Sequence, residues 1–343
     1  MKVLVTGGAG FMGSHVVDEL IRRGAEVVVL DDLSGGFRNN VNPQAAFVKG
    51  CVTDEDLVAD LFRRHRFEYV FHLAAYAAEG LSHFIRRFNY TNNLIGGVNL
   101  INESVRYDVR CLVFTSSIAV YGNNRLPMTE DLEPHPEDPY GIAKYAVEMD
   151  LQAAHAMFGL DYVIFRPHNV YGERQNIGDR YRNVLGIFMN QIMQDRPMTI
   201  FGDGEQTRAF SYIRDVAPIM VEAAFRPDCY NEVFNVGSDK PYTVNRLAQI
   251  IAEAFGVPCR VEHVPERLEV KHAYCSHQKI RNWLGFHAET PLEEGVRRMV
   301  EWARRAGPRQ SREFGRLEIS KNLPGVWRTG YLTRNASGST ARG

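Results

Sequence analysis

Residues 2–13 read KVLVTGGAGFMG, an apolar run that passes into a glycine-rich turn and then into a helical pattern. Two spacings overlap in this turn, GxxGxxG from Gly7 and GxGxxG from Gly8. Glycine-rich turns are common, but a strand before the turn and a helix after it let a pyrophosphate meet backbone N–H groups at a helix N-terminus. The stretch therefore predicts a dinucleotide-binding βαβ unit.

The second apolar run, VVVL at residues 27–30, is followed directly by Asp31 and Asp32. An acidic residue about 20 positions after the glycine turn is expected to accept hydrogen bonds from the adenosine ribose. A carboxylate there repels a ribose 2′-phosphate and no arginine follows it directly, so the sequence favours NAD over NADP. The alternative interpretation is that Asp31 only caps a loop, and the spacing makes that interpretation the weaker one.

Apolar runs alternate with helical patterns along the first half of the chain. The apolar runs are KVLVT, EVVVL, YVFHLA, CLVFTSS and DYVIFR, and helical patterns cover residues 11–23, 54–65, a stretch ending near Tyr107 and a stretch starting near Pro139. Continuous apolar strands separated by helices are typical of a parallel sheet covered on both faces. The predicted fold class is a doubly wound α/β sheet with a smaller, discontinuous α/β lobe.

The regular alternation ends after Arg166, where loop-rich segments begin. The strand pattern EVFNV indicates that the chain returns to the sheet later. We expect residues 1–166 and about 210–236 to form the dinucleotide-binding domain, about 167–209 and 237–325 to form a substrate-binding lobe, and 326–343 to form a tail.

Composition narrows the possible classes. The 343 residues are 45% hydrophobic and 24% charged with a net charge of −1, which is typical of a globular protein and argues against a nucleic-acid partner. The five cysteines are scattered without a CxxC pair, so a reducing cytoplasm is expected. No apolar run approaches a membrane helix or a secretory leader, so we expect no membrane partner.

The candidate reaction residues lie in two short motifs. In PYGIAK, Tyr140 and Lys144 are four residues apart on a predicted helix and share one face. A nearby ammonium favours the phenolate form of a tyrosine, which makes the pair a proton-transfer device. The strand CLVFTSS ends at the ligand-binding edge of the sheet, where Ser117, and Thr115 as a second donor, can hydrogen-bond a substrate oxygen. Hydroxyls that merely satisfy the turn are the alternative.

TGGAGFMG, Asp31, HLAA, Asn93, TSS and YGIAK together resemble the extended short-chain dehydrogenase/reductase family, in particular its NAD-dependent nucleotide-sugar epimerases and dehydratases, to about residue 306. The resemblance implies a Rossmann domain and Ser117, Tyr140 and Lys144 as catalytic residues. It implies NAD contacts from Gly7, Gly10, Phe11, Met12, Asp31, Asp32, Ser34, Gly35, Cys51, Val52, Leu73, Ala74, Ala75, Asn93, Thr115, Tyr140, Lys144 and His168. It implies nucleotide-sugar contacts from Ser117, Tyr140, Asn169, Arg174, Asn183, Val184, Thr199, Phe201, Arg208, Phe210, Arg267 and Glu269.

The expected reaction type depends on the lack of a carboxylate in the residues directly after Thr115. Dehydratases and uronate decarboxylases of the family carry carboxylates there, whereas this chain has SSIA. The resemblance then implies an NAD-dependent 4-epimerase of a UDP-hexose, with UDP-glucose/UDP-galactose as the first expectation. UDP-glucuronate/UDP-galacturonate remains an alternative substrate pair, because one of Arg174, Arg180 and Arg182 could pair with a C6 carboxylate. An N-acetylated sugar is also open, because the small side chain of Ala273 leaves room for an N-acetyl group. A dehydratase or a 4-ketoreductase is the less favoured reaction.

Two further expectations concern metals and assembly. HxxCxH, formed by His272, Cys275 and His277, lacks a matching fourth ligand, so a structural role is favoured and no metal site is predicted. A non-catalytic NAD-binding regulator is disfavoured by the intact Ser, Tyr and Lys set. Family members pair two long helices across a dimer, which implies a homodimer through residues 84–106 and 139–158.

Overall fold

A computed structural model of the chain describes residues 1–267, 269–310 and 314–328. The strands are β1 (Lys2–Thr6), β2 (Glu26–Asp31), β3 (Ala46–Lys49), β4 (Tyr69–His72), β5 (Cys111–Thr115), β6 (Tyr162–Pro167), β7 (Val170–Tyr171), β8 (Met198–Phe201), β9 (Thr207–Ala209), β10 (Ser211–Tyr212), β11 (Glu232–Val236), β12 (Pro241–Thr243), β13 (Val261–Val264) and β14 (His272–Ala273). The helices are α1 (Phe11–Arg22), α2 (Glu55–His65), α3 (Glu79–Ser82), α4 (Arg86–Tyr90), α5 (Gly96–Arg106), α6 (Pro139–Phe158), α7 (Val184–Met193), α8 (Ile213–Ala224), α9 (Val244–Phe255), α10 (Gln278–Leu284) and α11 (Leu292–Ala306).

The central sheet has the order β11-β6-β5-β4-β1-β2-β3 within the described residues, and every neighbouring pair is parallel. The chain order reverses at β1, which has β2 on one side and β4 on the other. Ligands of open parallel sheets bind beyond the carboxyl ends of the strands at such a reversal. The doubly wound α/β prediction is confirmed, and EVFNV pairs with β6 as expected.

Side chains of β1 show how both faces of the sheet are covered. Val3 and Val5 belong to one apolar cluster with residues of α1 and α8, whereas Leu4 belongs to a second cluster with residues of α2, α5 and α6. Alternate residues of a strand point to opposite faces, so an apolar residue at every position fits a strand buried on both sides. This burial fixes the strand ends that carry the site.

The long helix predicted to end near Tyr107 is a continuous run made of α4, a π-helical stretch at Thr91–Ile95, and α5. The helix α6 beside it begins at a strong capping signal. Asp138 accepts hydrogen bonds from the backbone N–H groups of Tyr140 and Gly141, and Pro139 occupies the first helical position. These caps fix where the YGIAK motif enters the helix.

Short sheets form the region around the predicted lobe: β7 with β10, β8 with β13, and β9 between β12 and β14. The division into two discontinuous domains stays a prediction. Within the predicted tail, 326–343, Trp327 is only 6% exposed and packs in an apolar cluster with Leu81 and Ile85. Residues 329–343 lie outside the described residues. In the described ranges, no helix has the length and apolarity needed to cross a bilayer.

Candidate active site

A cavity of about 510 Å³ opens at the carboxyl ends of the central strands. It runs from the glycine turn after β1, past the end of β5 and the start of α6, to arginines of the second half of the chain. Pockets of this size are typical of small-molecule and cofactor sites. The cavity therefore lies where the strand order predicts a ligand.

The glycine turn brings backbone segments closer together than side chains would permit. A Cβ on Gly13 would lie 2.2 Å from the carbonyl oxygen of Gly7, and a Cβ on Gly7, whose φ is +74°, would lie 2.7 Å from the backbone nitrogen of Ala74. The turn leaves the N-terminus of α1 open towards the cavity, which suits a pyrophosphate. This cradle fits the dinucleotide that the sequence predicts.

Asp31 lies at the end of β2 beside this turn and is buried. Its two carboxylate oxygens accept hydrogen bonds from the backbone N–H groups of Ala9, at 3.0 Å, and Leu33, at 2.8 Å. Burial raises the pKa of Asp31, and these two hydrogen bonds oppose that rise. A carboxylate oxygen has more than one acceptor site, so Asp31 can still accept from a ribose hydroxyl.

The structure brings almost all predicted cofactor residues to the cavity wall. The lining includes Gly7, Gly10, Phe11, Met12, Asp31, Asp32, Ser34, Gly35, Cys51, Val52, Leu73, Ala74, Ala75, Thr115, Tyr140, Lys144 and His168. Thr115 adds an independent sign of a ligand: its buried hydroxyl has no hydrogen-bond partner within the described residues. The roles of these residues remain predictions.

Asn93 was predicted to contact the cofactor, but it does not line the cavity. Its side-chain oxygen accepts from the N–H of Tyr76 at 2.8 Å, and its nitrogen donates to Asn89 at 2.8 Å and to the Tyr76 carbonyl. The whole amide is therefore used to hold the loop after β4. His72, which could also have faced the cofactor, is a core residue bonded to Thr6.

The three candidate catalytic residues meet on one wall of the cavity. Ser117 follows β5 and accepts a hydrogen bond from the N–H of Ala119 at 3.1 Å. Lys144 is 2% exposed and its Nζ donates to the Thr115 carbonyl at 2.7 Å, which ties α6 to the end of β5. The Tyr140 ring centroid lies 5.9 Å from the same Nζ.

The electrostatics of this wall depend on burial. Burial lowers the pKa of Lys144 to about 7, and the charge of Glu148 opposes that change. Burial also raises the pKa of Tyr140 well above its ordinary value, while a hydrogen bond with Ser117 and the charge of Arg182 oppose the rise. A phenolate at Tyr140 therefore needs additional positive charge in the cavity, and a bound oxidised nicotinamide ring would supply one.

A buried ion pair lies behind this wall. Arg166 donates through two nitrogens to the carboxylate of Glu148, at 3.0 and 2.5 Å, and Glu148 is fully buried. The hydroxyl of Ser116 also donates to Glu148. Ser116 also lines the cavity, but its hydroxyl donates to Glu148, and the pair joins α6 to the end of β5 and to β6.

The substrate side of the cavity also contains most of the predicted residues. The lining includes Ser117, Tyr140, Asn169, Asn183, Val184, Thr199, Phe201, Arg208, Arg267 and Glu269. Arg267 pairs with Glu269 at 2.9 Å and lies over the Phe201 ring at 4.6 Å, and Arg208 donates to the carbonyl oxygen of Val270 at 2.6 Å. Two guanidinium groups on one wall suit a diphosphate.

Two predicted substrate residues are displaced from the cavity wall. Arg174 forms an ion pair with Asp18 at 2.7 Å and donates to the Ser14 carbonyl, so its charge is used on α1. Phe210 is 4% exposed and belongs to the apolar core, because it lies between the short strands β9 and β10. Neither residue lines the cavity, and substrate contact by either one stays a prediction.

Some lining residues were missed from the sequence, notably Glu79, Asp138 and Tyr181, whereas Arg182, expected near the sugar, does line the cavity. The position of Asp138 directly before the Pro139 helix start predicts a cap, which is a detectable signal. Glu79 had no comparable signal, because nothing in its local pattern links it to distant arginines. Glu79 is accessible from the cavity, and desolvation by the atoms packed around it raises the pKa of its carboxyl to about 7, with the charge of Asp138 reinforcing the rise.

The HxxCxH residues have separate partners. His277 lies between His168, at 3.0 Å, and Asp239, at 2.6 Å, whereas His272 is bonded to Thr207. In the part of the chain that the structure describes, no three His, Cys, Asp or Glu side chains are grouped to hold a metal ion. His277 instead connects the segment after β6 to the segment after β11.

A glycine cradle that fits a dinucleotide, next to a Ser, Tyr and Lys wall, defines an enzyme of the extended short-chain dehydrogenase/reductase class. The model of the NAD dependent epimerase/dehydratase family matches residues 3–237. The chain belongs to this family.

Individual relatives agree with that assignment. The UDP-glucose 4-epimerase of Mycolicibacterium smegmatis is 35% identical over 312 residues, which cover 89% of this chain and 99% of the relative. The crystal structure of UDP-glucose 4-epimerase with UDP-glucose from Thermotoga maritima has a TM-score of 0.86 and 38% identity and covers 89% of this chain and 99% of its own. The Thermus thermophilus UDP-glucose 4-epimerase in complex with NAD has a TM-score of 0.83 and 33% identity, covering 88% and 98%.

Proposed function

We propose that the protein is an NAD-dependent 4-epimerase that interconverts UDP-glucose and UDP-galactose. One observation carries this proposal: Tyr140, Lys144 and Ser117 share a cavity wall, while the strand end at 115–119 carries no carboxylate. Hydride acceptance from C4 and its return is the chemistry that bound NAD supplies. Loss of water or carbon dioxide needs a further acid or base at this strand end, and the chain offers hydroxyls there instead.

Tyr140, Lys144 and Ser117 have separate roles in the proposed proton transfer. Tyr140 takes the proton of the C4 hydroxyl and gives it back after the sugar has turned. Lys144, held by the Thr115 carbonyl, keeps a positive charge near the phenolate. Ser117 hydrogen-bonds the sugar oxygen and orients it towards Tyr140. A single acid–base residue suffices, because both half-reactions exchange the same proton.

The arginines bear on which sugar is used. Arg182 pairs with Asp179 at 2.7 Å and its guanidinium lies over the Tyr76 ring, Arg180 donates to the Val326 carbonyl, and Arg174 is paired on α1. Each has a partner in the protein that would compete with a C6 carboxylate. This supports a neutral hexose over a uronate.

Carboxylates in the cavity also favour a neutral hexose over a uronate. Glu79 and Asp138 line the cavity and both lie within electrostatic range of Tyr140. Burial raises the pKa of Asp138 to about 6, so this group is mostly ionised at neutral pH. A negative charge on C6 of the sugar would meet these groups, whereas a C6 hydroxyl can hydrogen-bond to them.

A panel of UDP-sugars tests the proposal. UDP-glucose, UDP-galactose, UDP-N-acetylglucosamine and UDP-glucuronate are each incubated with the purified holoenzyme, and C4 stereochemistry is followed by NMR. We expect UDP-glucose and UDP-galactose to interconvert with no net absorbance change at the nicotinamide band. Stoichiometric oxidation of added NADH would indicate a ketoreductase, and a stable keto-deoxy product would indicate a dehydratase.

The protein is also proposed to be a homodimer through α4, α5 and α6. Large apolar side chains are exposed on these neighbouring helices: Ile95 on the first run, and Ile142 and Met149 on α6. Ile142 and Met149 are seven residues apart, so they lie on one helix face. Light scattering of Met149→Glu should give a monomer mass where wild type gives a dimer; equal masses would contradict this interface.

Location and domain division complete the proposal. The cysteines at 51, 111, 229, 259 and 275 are free thiols, which suits a reducing cytoplasm, and cell fractionation can test this. We assign residues 1–166 and about 210–236 to NAD binding and the intervening and following segments to substrate binding. Limited proteolysis with and without UDP should protect the second group selectively.

A further inference from the structure

The described chain continues past α11 and packs against the candidate active site. The family resemblance reaches about residue 306, and the Mycolicibacterium smegmatis relative matches 89% of this chain with 99% of its own length. About a tenth of this chain therefore has no counterpart in that relative. Residues 314–328, here named the C-terminal segment, lie beyond the resemblance.

The C-terminal segment is attached to the start of α4. The carboxylate of Glu318 accepts hydrogen bonds from the backbone N–H groups of Arg87, at 2.7 Å, and Phe88, at 2.9 Å. The N–H of Glu318 donates to the Phe84 carbonyl at 2.9 Å. A carboxylate that accepts from the free N–H groups at a helix start is a charge-assisted cap.

Trp327 fixes the other end of the segment. Its ring is edge-on to Tyr181 at 5.4 Å, Phe201 at 6.1 Å and Phe84 at 6.3 Å. Tyr181 and Phe201 both line the cavity, whereas Trp327 itself lies behind them. Such edge-to-face pairs restrict the rings that take part.

Arg267 connects Trp327 to the predicted diphosphate site. Its guanidinium lies 4.6 Å from the Phe201 ring and 5.8 Å from the Trp327 ring, and it pairs with Glu269. A Cβ on Gly80 would lie 3.2 Å from the Trp327 ring and 3.7 Å from Arg267, so this glycine lets both side chains approach α3. Trp327 thus limits the positions that Arg267 can take.

We propose that Trp327 is a positioning residue for nucleotide-sugar binding, which acts by holding Arg267 and Phe201 against the diphosphate. The inference rests on the proposed UDP-hexose activity. It assigns a binding role to the C-terminal segment, which lies beyond the family resemblance. Because Tyr140 and Lys144 lie on the other wall, the role concerns affinity and not the chemical step.

The test compares Trp327→Ala with wild type as NAD-loaded holoenzyme. We expect the Kd for UDP, measured by calorimetry, and the KM for UDP-glucose to rise roughly tenfold, with kcat within about twofold, in keeping with loss of one cation–π contact and its ordering. Trp327→Phe should recover most of the affinity. The matched control is Trp283→Ala, a partly exposed tryptophan against Phe234, which should leave UDP binding unchanged.

Two results would overturn the inference. The first is a folded Trp327→Ala protein that binds UDP as tightly as wild type does. If that variant does not fold, Glu318→Ala decides, because it loosens the segment without removing an aromatic ring; wild-type UDP affinity in Glu318→Ala would be the second. Failure of wild type itself to bind UDP would instead contradict the proposed function, and this inference with it.

Discussion

The wall of the cavity is mostly backbone on the cofactor side and mostly charged and aromatic side chains on the substrate side. On the cofactor side, Gly7 and Gly13 let chain segments approach within distances that a Cβ would block. On the substrate side, Arg267 and Arg208 are held by Glu269, by Phe201 and by carbonyl oxygens. A site formed by closely packed backbone tolerates few substitutions, because an added Cβ would clash. A site formed by side chains can change its ligand preference through single substitutions. Selectivity for the sugar nucleotide is therefore expected on the second wall.

Tyr140 lies where the two walls meet, and its substitution is expected to have the largest effect on turnover. Tyr140→Phe removes the proton carrier while keeping the ring, so kcat should fall roughly 10²–10⁴-fold, with NAD retained. Coupled turnover of UDP-galactose and absorbance of the released cofactor measure the two properties. Tyr145→Phe, on the same helix, is the control and should keep wild-type turnover; a fully active Tyr140→Phe protein would remove the assigned proton carrier.

Arg166→Met tests how much the buried ion pair behind the catalytic residues contributes to the stability of the fold. The substitution leaves the Glu148 carboxylate buried without its cation, so the free energy of unfolding should fall by about 3–5 kcal/mol in urea denaturation. Arg226→Met, which breaks an exposed ion pair with Asp228, should lower the free energy of unfolding far less, because solvent screens surface charges. Equal losses in the two variants would argue against a special role for the buried pair.

Gly13→Ala tests the backbone character of the cofactor side. The new Cβ must displace the Gly7 carbonyl, so NAD binding should weaken roughly tenfold or more, about 1.4 kcal/mol, and purified protein should carry less NAD. Gly315→Ala, where a Cβ meets open space, should change nothing. Unchanged NAD occupancy in Gly13→Ala would mean that the turn can open without cost.

Glu79→Gln gives the smallest expected effect and probes the substrate side. A carboxyl with its pKa raised to about 7 is neutral below that pH and charged above it, and the charge opposes a diphosphate held by Arg208 and Arg267. The wild-type KM should therefore rise above pH 7, whereas the KM of the variant should stay flat. The difference should reach only a few-fold, about 1 kcal/mol or less. Parallel pH profiles would show that Glu79 stays neutral throughout.

The two walls also differ in how far sequence could predict them. The cofactor side of the cavity is formed by residues that lie close together in the sequence. A strand, a glycine turn and an acidic residue at a fixed spacing are therefore enough to predict where each of them lies in the fold. Asn93 shows the limit of that reasoning, because its place in the order of motifs predicted a cofactor contact, whereas its side-chain oxygen accepts a hydrogen bond from the N–H of Tyr76 and holds that loop. The pattern located the element correctly and could not give the direction of the side chain.

The substrate wall depends on contacts between residues far apart in the chain. Arg174 was expected near the sugar because three arginines cluster in one loop, yet a carboxylate on α1 holds it elsewhere. Glu79 and Trp327 reach the site only through the packing of separate segments, which leaves no local period or spacing to detect. Phe210 lies between two short strands, β9 and β10, and its ring is buried in the apolar core, which no local pattern indicated.

The central claim is that hydrogen leaves C4 and returns to the same carbon within one active site. UDP-glucose labelled with deuterium at C4, converted by the purified holoenzyme in ordinary water, tests this directly by NMR. The account predicts UDP-galactose that retains the label at C4 with no label in solvent or in added free NAD. Loss of deuterium from C4, or its appearance in the free cofactor, would contradict it.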